Sequence, residues 1–176
     1  MPDGALEQLK REGRIVVVGA SLAGLRAAET LRDKGFAGSL TMIGDEPYEP
    51  YDRPPLSKQV LLGRAEAERT ALPRRREIDA EWRLGVPAAG LDMAARRVRL
   101  ADGDEVPYDR LLIATGVRAR PWPNEAEAEL EGVFVLRTRD DGAGGGGGGR
   151  RRGAGGGGGA GRGRVRTRGD STPRRR

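Results

Sequence analysis

Between Arg14 and Gly24 the chain reads Arg-Ile-Val-Val-Val-Gly-Ala-Ser-Leu-Ala-Gly, and an acid follows at Asp45. Four β-formers, Ile15–Val18, run straight into a glycine turn, and a helical pattern starts at once. A continuous branched run of this kind suits a strand buried on both faces of a parallel sheet. The turn then presents a helix N-terminus, whose unpaired N–H groups and positive dipole end favour a pyrophosphate. Gly19 permits the tight turn and Gly24 lets the helix pack close to the strand. Asp45 stands at the end of the next apolar run, Leu40–Ile43, where a carboxylate can accept from a ribose 2′-hydroxyl. The middle glycine of the usual G-x-G-x-x-G pattern is replaced by Ser21, a small residue whose hydroxyl can also donate to phosphate. An ordinary βα turn with glycines for packing is the plainer alternative. The order strand, turn, helix, strand, acid weighs against it.

Two compositions are joined in this chain. Asp141–Arg176 holds ten Arg, no Lys, two acids and 16 of the 29 Gly. The preceding 140 residues hold 22 basic and 24 acidic side chains, so the net charge of +6 comes from the C-terminal segment. Cysteine and histidine are absent, which removes disulfides, thiolate metal sites and the commonest general base. No metal site is expected, and any redox chemistry must be carried by a cofactor. No segment has the length and apolarity of a membrane span and no secretory h-region is visible, so a cytoplasmic chain without a membrane partner is expected.

Along the sequence, residues 1–13 read as a polar N-terminal arm with helical character and 14–140 as the folded domain. Ile15–Val18 is the first strand, Leu22 to about Lys34 the first helix, stopping at Gly35, and Leu40–Ile43 the second strand. Ala23, Ala27 and Ala28 are expected to face the sheet. The stretch Glu46–Ser57 carries too many prolines for a regular helix, and Ser57 is expected to cap a short helix over Lys58–Leu62. Arg64–Asp79 reads as a charged connector. Four short runs follow, Glu81–Leu84, Ala88–Asp92, Arg97–Leu100 and Val106–Tyr108, which together predict an antiparallel meander. Arg110–Ala114 is another buried strand, and Gly132–Leu136 a last apolar run. Residues 141–176, rich in Gly and Arg and nearly without apolar groups, are expected to be disordered.

Three blocks carry a resemblance: Val18–Gly24, then Pro50-Tyr51-Asp52-Arg53-Pro54-Pro55-Leu56-Ser57-Lys58, then Tyr108-Asp109-Arg110-Leu111-Leu112-Ile113-Ala114-Thr115-Gly116. From Arg14 to Asp141 the chain resembles the N-terminal FAD-binding part of the FAD-dependent NAD(P)H:ferredoxin and rubredoxin reductases. These belong to the pyridine nucleotide-disulphide oxidoreductase superfamily, and apoptosis-inducing factor is a relative. The resemblance implies an α/β, Rossmann-like FAD/NAD(P)-binding three-layer domain with an inserted antiparallel β-meander, incomplete at its C-terminal side. It implies FAD as cofactor, NAD(P)H as co-substrate and a ferredoxin-type iron–sulfur protein as acceptor.

By the same resemblance Gly19, Ser21, Ala23 and Gly24 line the FAD pyrophosphate and Asp45 holds the adenosine ribose. Val86 presents its backbone to the adenine, and Thr115 and Gly116 bring the chain close to the cofactor. Arg53 and Lys58 reach the flavin side, with Lys58 at the isoalloxazine N5 edge as the residue with a catalytic role, and Arg137 is another FAD-contacting arginine. Read from spacing alone, Lys58 and Arg53 are equally solvated charges, Thr115-Gly116 the end of a strand, Val86 core and Arg137 half of a surface ion pair.

The resemblance also calls for a second glycine fingerprint soon after Asp141, a returning FAD-domain segment and a C-terminal domain, none of which the sequence supplies. The expectation is a truncation or frameshift, with the tail as out-of-frame translation of GC-rich DNA. Two alternatives stand beside it: a non-catalytic dinucleotide-binding fragment, and an Arg/Gly nucleic-acid binder. The tail holds no aromatics for base stacking, which weighs against the second.

Overall fold

The structure, a computed structural model, describes residues 3–130 and 133–143. They divide into two compact units, one drawn from Met1–Asp52 and Glu68–Val117, the other from Arg53–Ala67 and Arg118–Arg176.

The first unit begins with helix α1, Asp3–Glu12. It is tied down at its end, where Lys10 O accepts from the N–H groups of Ala37 and Gly38. Strand β1, Arg14–Val18, follows, then helix α2, Leu22–Asp33, and strand β2, Ser39–Gly44. β1 and β2 pair in parallel with Ile15 opposite Leu40 and Val18 opposite Ile43. One face of the sheet buries Ile15, Val17, Leu40 and Met42 against Leu25 and Ala28 of α2 and Ile78. The α2 residues that go inside are Gly24, Leu25, Ala28 and Glu29. Ala23, expected on the sheet side, is exposed at the helix start, because the buried stripe begins one residue later.

Glu29 is buried yet charged. Its carboxylate accepts from Arg26 NH1 at 2.6 Å and from the Arg75 N–H at 2.7 Å. This pair of bonds anchors the connector to α2.

Strand β3, Glu81–Leu84, pairs in parallel with β2 and so belongs to the main sheet, not to the expected meander. Its alternation of charged and apolar residues misled the sequence reading. An edge strand, half exposed, shows the same period-two pattern as a meander strand. The meander itself has three strands: β4, Ala88–Asp92, β5, Arg97–Leu100, and β6, Glu105–Pro107, in the order β4-β5-β6. Val98, Leu100, Val106 and Tyr108 pack against Val16 and Ile43 on the second face of the sheet. Strand β7, Arg110–Ile113, completes a four-stranded parallel sheet of order β3-β2-β1-β7. The result is three layers, α2, sheet and meander, as expected for the class. On β7 Leu112 and Ile113 stay exposed.

β7 is fastened to β1 by a bidentate pair. Arg14 Nε and NH2 donate to the two Asp109 carboxylate oxygens at 3.2 and 2.8 Å, and the Arg14 N–H donates to Oδ2 at 2.8 Å. The Arg14 side chain and N–H hold the Asp109 carboxyl down at about 2, below its ordinary 3.8. A folded-state value lowered in this way stabilises fully above the unfolded value and is lost as pH falls through the folded one. The stability difference between wild type and Asp109→Asn should therefore be present at pH 6 and shrink between pH ~4 and ~2. Urea unfolding across that range checks it; a difference independent of pH would refute the latch.

In the second unit a 3₁₀ turn covers Pro54–Ser57. Ser57 ends this turn instead of capping a helix over Lys58–Leu62, and its hydroxyl donates back to Pro54 O at 3.3 Å. The reason is the Pro54-Pro55 pair, whose fixed φ starts the helical turn three residues early. Lys58–Gly63 continues as turns. Helix α3 spans Glu125–Ala128 and helix α4 Arg139–Ala143. Val133–Leu136, the described part of the last apolar run, forms no strand. Asp141, Gly142 and Ala143, placed with the tail by composition, close α4. The remainder of the expected disordered tail, with its out-of-frame and nucleic-acid readings, lies outside the described residues. Among the described residues no helix is long and apolar enough to cross a membrane.

Candidate functional site

The carboxyl ends of all four parallel strands meet one edge of the first unit. In open α/β sheets that edge, at a topological switch point, is where ligands bind. The glycine turn lies there. Gly19 has φ +120, and a Cβ on it would lie 2.2 Å from Ala114 O. Its N–H donates to Ile43 O at 2.8 Å, so the turn is pinned to β2 on one side and abuts the end of β7 on the other. A Cβ on Gly24 would lie 2.1 Å from Gly19 O, which shows how closely α2 sits on the turn.

Ser21 is the extended N-cap residue of α2, with φ −131 and ψ −163, and its side chain makes no capping bond. Its carbonyl accepts from the Leu25 N–H at 2.8 Å, the first bond of the helix. The first turn holds no acid, and both Leu22 and Ala23 are exposed. The positive end of a 12-residue helix is thus open and uncapped by any side chain. Asp45 follows the last residue of β2 and is exposed. Thr115 and Gly116 follow β7 and are exposed; the Ala114 N–H, just before them, donates to Val18 O at 2.7 Å. Val86 lies two residues after β3, half-buried against the meander cluster, with its N–H given to Gly44 O at 3.2 Å. Of Val86's backbone, the N–H is therefore already committed. Gly19, Ser21, Ala23, Gly24, Asp45, Val86, Thr115 and Gly116 all fall at this one edge.

The second unit holds the other three residues. Arg53 and Arg137 line a cavity of about 320 Å³ together with Pro54, Leu56, Ser57 and Leu136. Arg53 NH1 donates to Arg137 O at 2.8 Å. Lys58 does not line this cavity. It is exposed at the end of the 3₁₀ turn, its N–H bonded to Pro55 O at 3.0 Å.

Sequence reasoning missed Asp141. Its Oδ2 accepts from the N–H groups of Arg137 at 2.9 Å and Thr138 at 2.7 Å. In return the Asp141 N–H donates to Thr138 Oγ1 at 3.3 Å. This is a capping box, and its signature, Thr138-Arg139-Asp140-Asp141, was present in the sequence. Burial works to raise the Asp141 carboxyl, but the Thr138 and Arg137 donors outweigh it and keep the group below its ordinary value.

The sequence profile described as "Pyridine nucleotide-disulphide oxidoreductase" matches residues 13–144. Rhodocoxin reductase of Rhodococcus erythropolis is 43% identical over 110 residues, covering 60% of this chain and 26% of that protein. The ferredoxin–NAD(+) reductase component of the p-cumate 2,3-dioxygenase system of Pseudomonas putida is 40% identical over 109 residues, covering 61% and 27%. Among solved structures, the covalent putidaredoxin reductase–putidaredoxin complex matches with TM-score 0.68 at 34% identity, over 75% of this chain and 33% of that one. The ferredoxin reductase of the CYP199A2 system from Rhodopseudomonas palustris matches with TM-score 0.65 at 32% identity, over 74% and 33%. The chain spans between about a quarter and a third of the length of these relatives. The match takes in the glycine turn, the sheet edge around it and the arginine-lined cavity alike, and the chain belongs to the pyridine nucleotide-disulphide oxidoreductase family.

Proposed function

We propose that this chain is the FAD-binding part of an NAD(P)H:ferredoxin reductase, working in the cytoplasm with a ferredoxin-type acceptor. The observation that carries the reading is the uncapped N-terminus of α2 set on a turn where neither Gly19 nor Gly24 has room for a Cβ. A cradle of bare backbone at a helix start fits a pyrophosphate. FAD held there would supply the redox chemistry, hydride acceptance from NAD(P)H and single-electron transfer to an iron–sulfur protein.

The residues of this chain bind and orient. The N–H groups at the start of α2, with Ser21, hold the pyrophosphate. The Asp45 carboxylate accepts from the adenosine ribose. Val86, with its N–H committed to Gly44, has its carbonyl for the adenine side, and Thr115 and Gly116 keep side-chain bulk away from the cofactor. Arg53 and Arg137 supply positive charge, and Lys58, exposed and close in sequence to Arg53, is the residue for the N5 edge.

Titrating the purified chain with FAD tests this. Binding with a shifted flavin absorption band is expected. Asp45→Ala should weaken it about tenfold, the loss of a charge-assisted hydrogen bond pair. No binding at millimolar FAD would end the reading. A second reading, a dinucleotide-binding module without turnover, is favoured by Lys58 lying outside the cavity that Arg53 and Arg137 line. Adding NAD(P)H separates the two: bleaching of bound flavin supports the reductase, and flavin that binds without bleaching supports the module.

A further inference from the structure

We propose that Asp141 is a positioning residue that sets Arg137 at the rim of the cofactor cavity. The proposal rests on the reading of Arg137 as a cofactor-binding residue. The Arg137 peptide is held from both sides. Its N–H donates to Asp141 Oδ2 at 2.9 Å, and its carbonyl accepts from Arg53 NH1 at 2.8 Å. Asp141 is itself held by its reciprocal bonds with Thr138. It is also seated by its neighbour: Gly142 is buried, and a Cβ there would come within 3.1 Å of Leu56 Cδ2 and 3.5 Å of Val60 Cγ1.

The lining of the cavity is apolar at Pro54, Leu56 and Leu136, polar at Ser57 and charged at Arg53 and Arg137. Two guanidinium groups beside apolar side chains suit the flavin side of the cofactor, with its ring carbonyl and nitrogen acceptors, where the resemblance puts Arg53. For Arg137 to meet the cofactor its backbone must be fixed, because a long side chain on a loose loop loses much of its contact to ordering entropy. α4 has too few residues to hold its own first turn. The capping box does so, and through the same oxygen it reaches back to the Arg137 N–H. Burial of Asp141 alone would favour the neutral acid, and the two N–H donors keep it ionised and accepting near neutral pH.

The test is a double-mutant cycle on FAD affinity with Asp141→Ala, Arg137→Ala and both together, plus Asp141→Asn. Each single Ala variant should weaken FAD about tenfold, and the double variant no more than either, because one acts through the other. Asp141→Asn keeps an acceptor oxygen and should stay within about threefold of wild type. In parallel, amide exchange at Arg137 and Thr138 should speed up about tenfold or more in Asp141→Ala while α2 amides are unchanged. A double variant about 100-fold weaker, or unchanged FAD affinity in Asp141→Ala, would overturn the proposal. If wild type holds no FAD, the cofactor reading itself has failed. Unchanged exchange at Arg137 overturns the positioning role on its own, with or without bound FAD.

Discussion

Gly24→Ala destabilises the chain by about 3 kcal/mol or more, although on an isolated helix the same change would stabilise by nearly 1 kcal/mol. The sign inverts because the added Cβ would lie 2.1 Å from Gly19 O and 3.2 Å from Val17 Cγ1. Neither neighbour can yield cheaply: one is the backbone of the turn, the other a fully buried strand residue. α2 must lift off the sheet, which opens the layer between Leu25, Ala28 and Val17. Against a total stability of about 5–15 kcal/mol, that loss is large. The adjacent Ala23→Gly is the control. Ala23 is exposed, so it should cost only about the helix propensity difference, near 1 kcal/mol. Urea unfolding of both variants decides the matter, and a neutral or stabilised Gly24→Ala would mean that α2 does not rest on the turn. If the proposed function holds, the destabilised Gly24→Ala should also lose FAD, since the helix start proposed to hold the pyrophosphate moves with α2.

Glu29→Ala is expected to cost about 3 kcal/mol. The side chain is 2% exposed, and its removal leaves the Arg75 N–H and the Arg26 guanidinium without their acceptor. Glu29→Gln keeps one acceptor oxygen for Arg75 and should cost roughly half as much. Burial pushes the Glu29 carboxyl up, but the Arg75 N–H and Arg26 together bring it below its ordinary value of 4.5. Its contribution is therefore complete above that value and fades as pH falls below it. Glu7→Ala removes an exposed partner of Lys10 and sets the baseline for a surface pair. Thermal or urea unfolding at pH 7 should separate the two Ala variants clearly, and equal losses would refute the anchoring role of Glu29.

What was legible in the sequence was local. Arg14–Gly24 carries its own strand, turn and helix signals within eleven residues, and the glycines sit where the backbone needs them. The edge that gathers Gly19, Asp45 and Thr115 follows from the rule that parallel strands end together. What the sequence did not disclose had separate causes. Glu81–Leu84 has a pattern that any half-exposed strand shows, and only its pairing with Thr41–Gly44 says which sheet it joins. The burial of Glu29 has no local signal, because its partner Arg75 lies 46 positions further on. Ser57 was a different matter: the local signal was present, but the proline pair upstream had already begun the turn. Asp141 was hidden by position, since its capping box straddles the point where composition changes.

The bond between Arg14 and Asp109 joins residues 95 positions apart, and this has a consequence for synthesis. At about 5–20 residues per second, β7 leaves the ribosome some 5–20 s after β1. β1, α2 and β2 can assemble in that interval, but Gly19 then has a neighbour on the β2 side alone. The surroundings of the glycine turn are complete only when Ala114 arrives, after the whole meander has been made. Until then the β1 edge stands open, and this wait is the window in which a nascent chain is most exposed to pairing with the wrong strand.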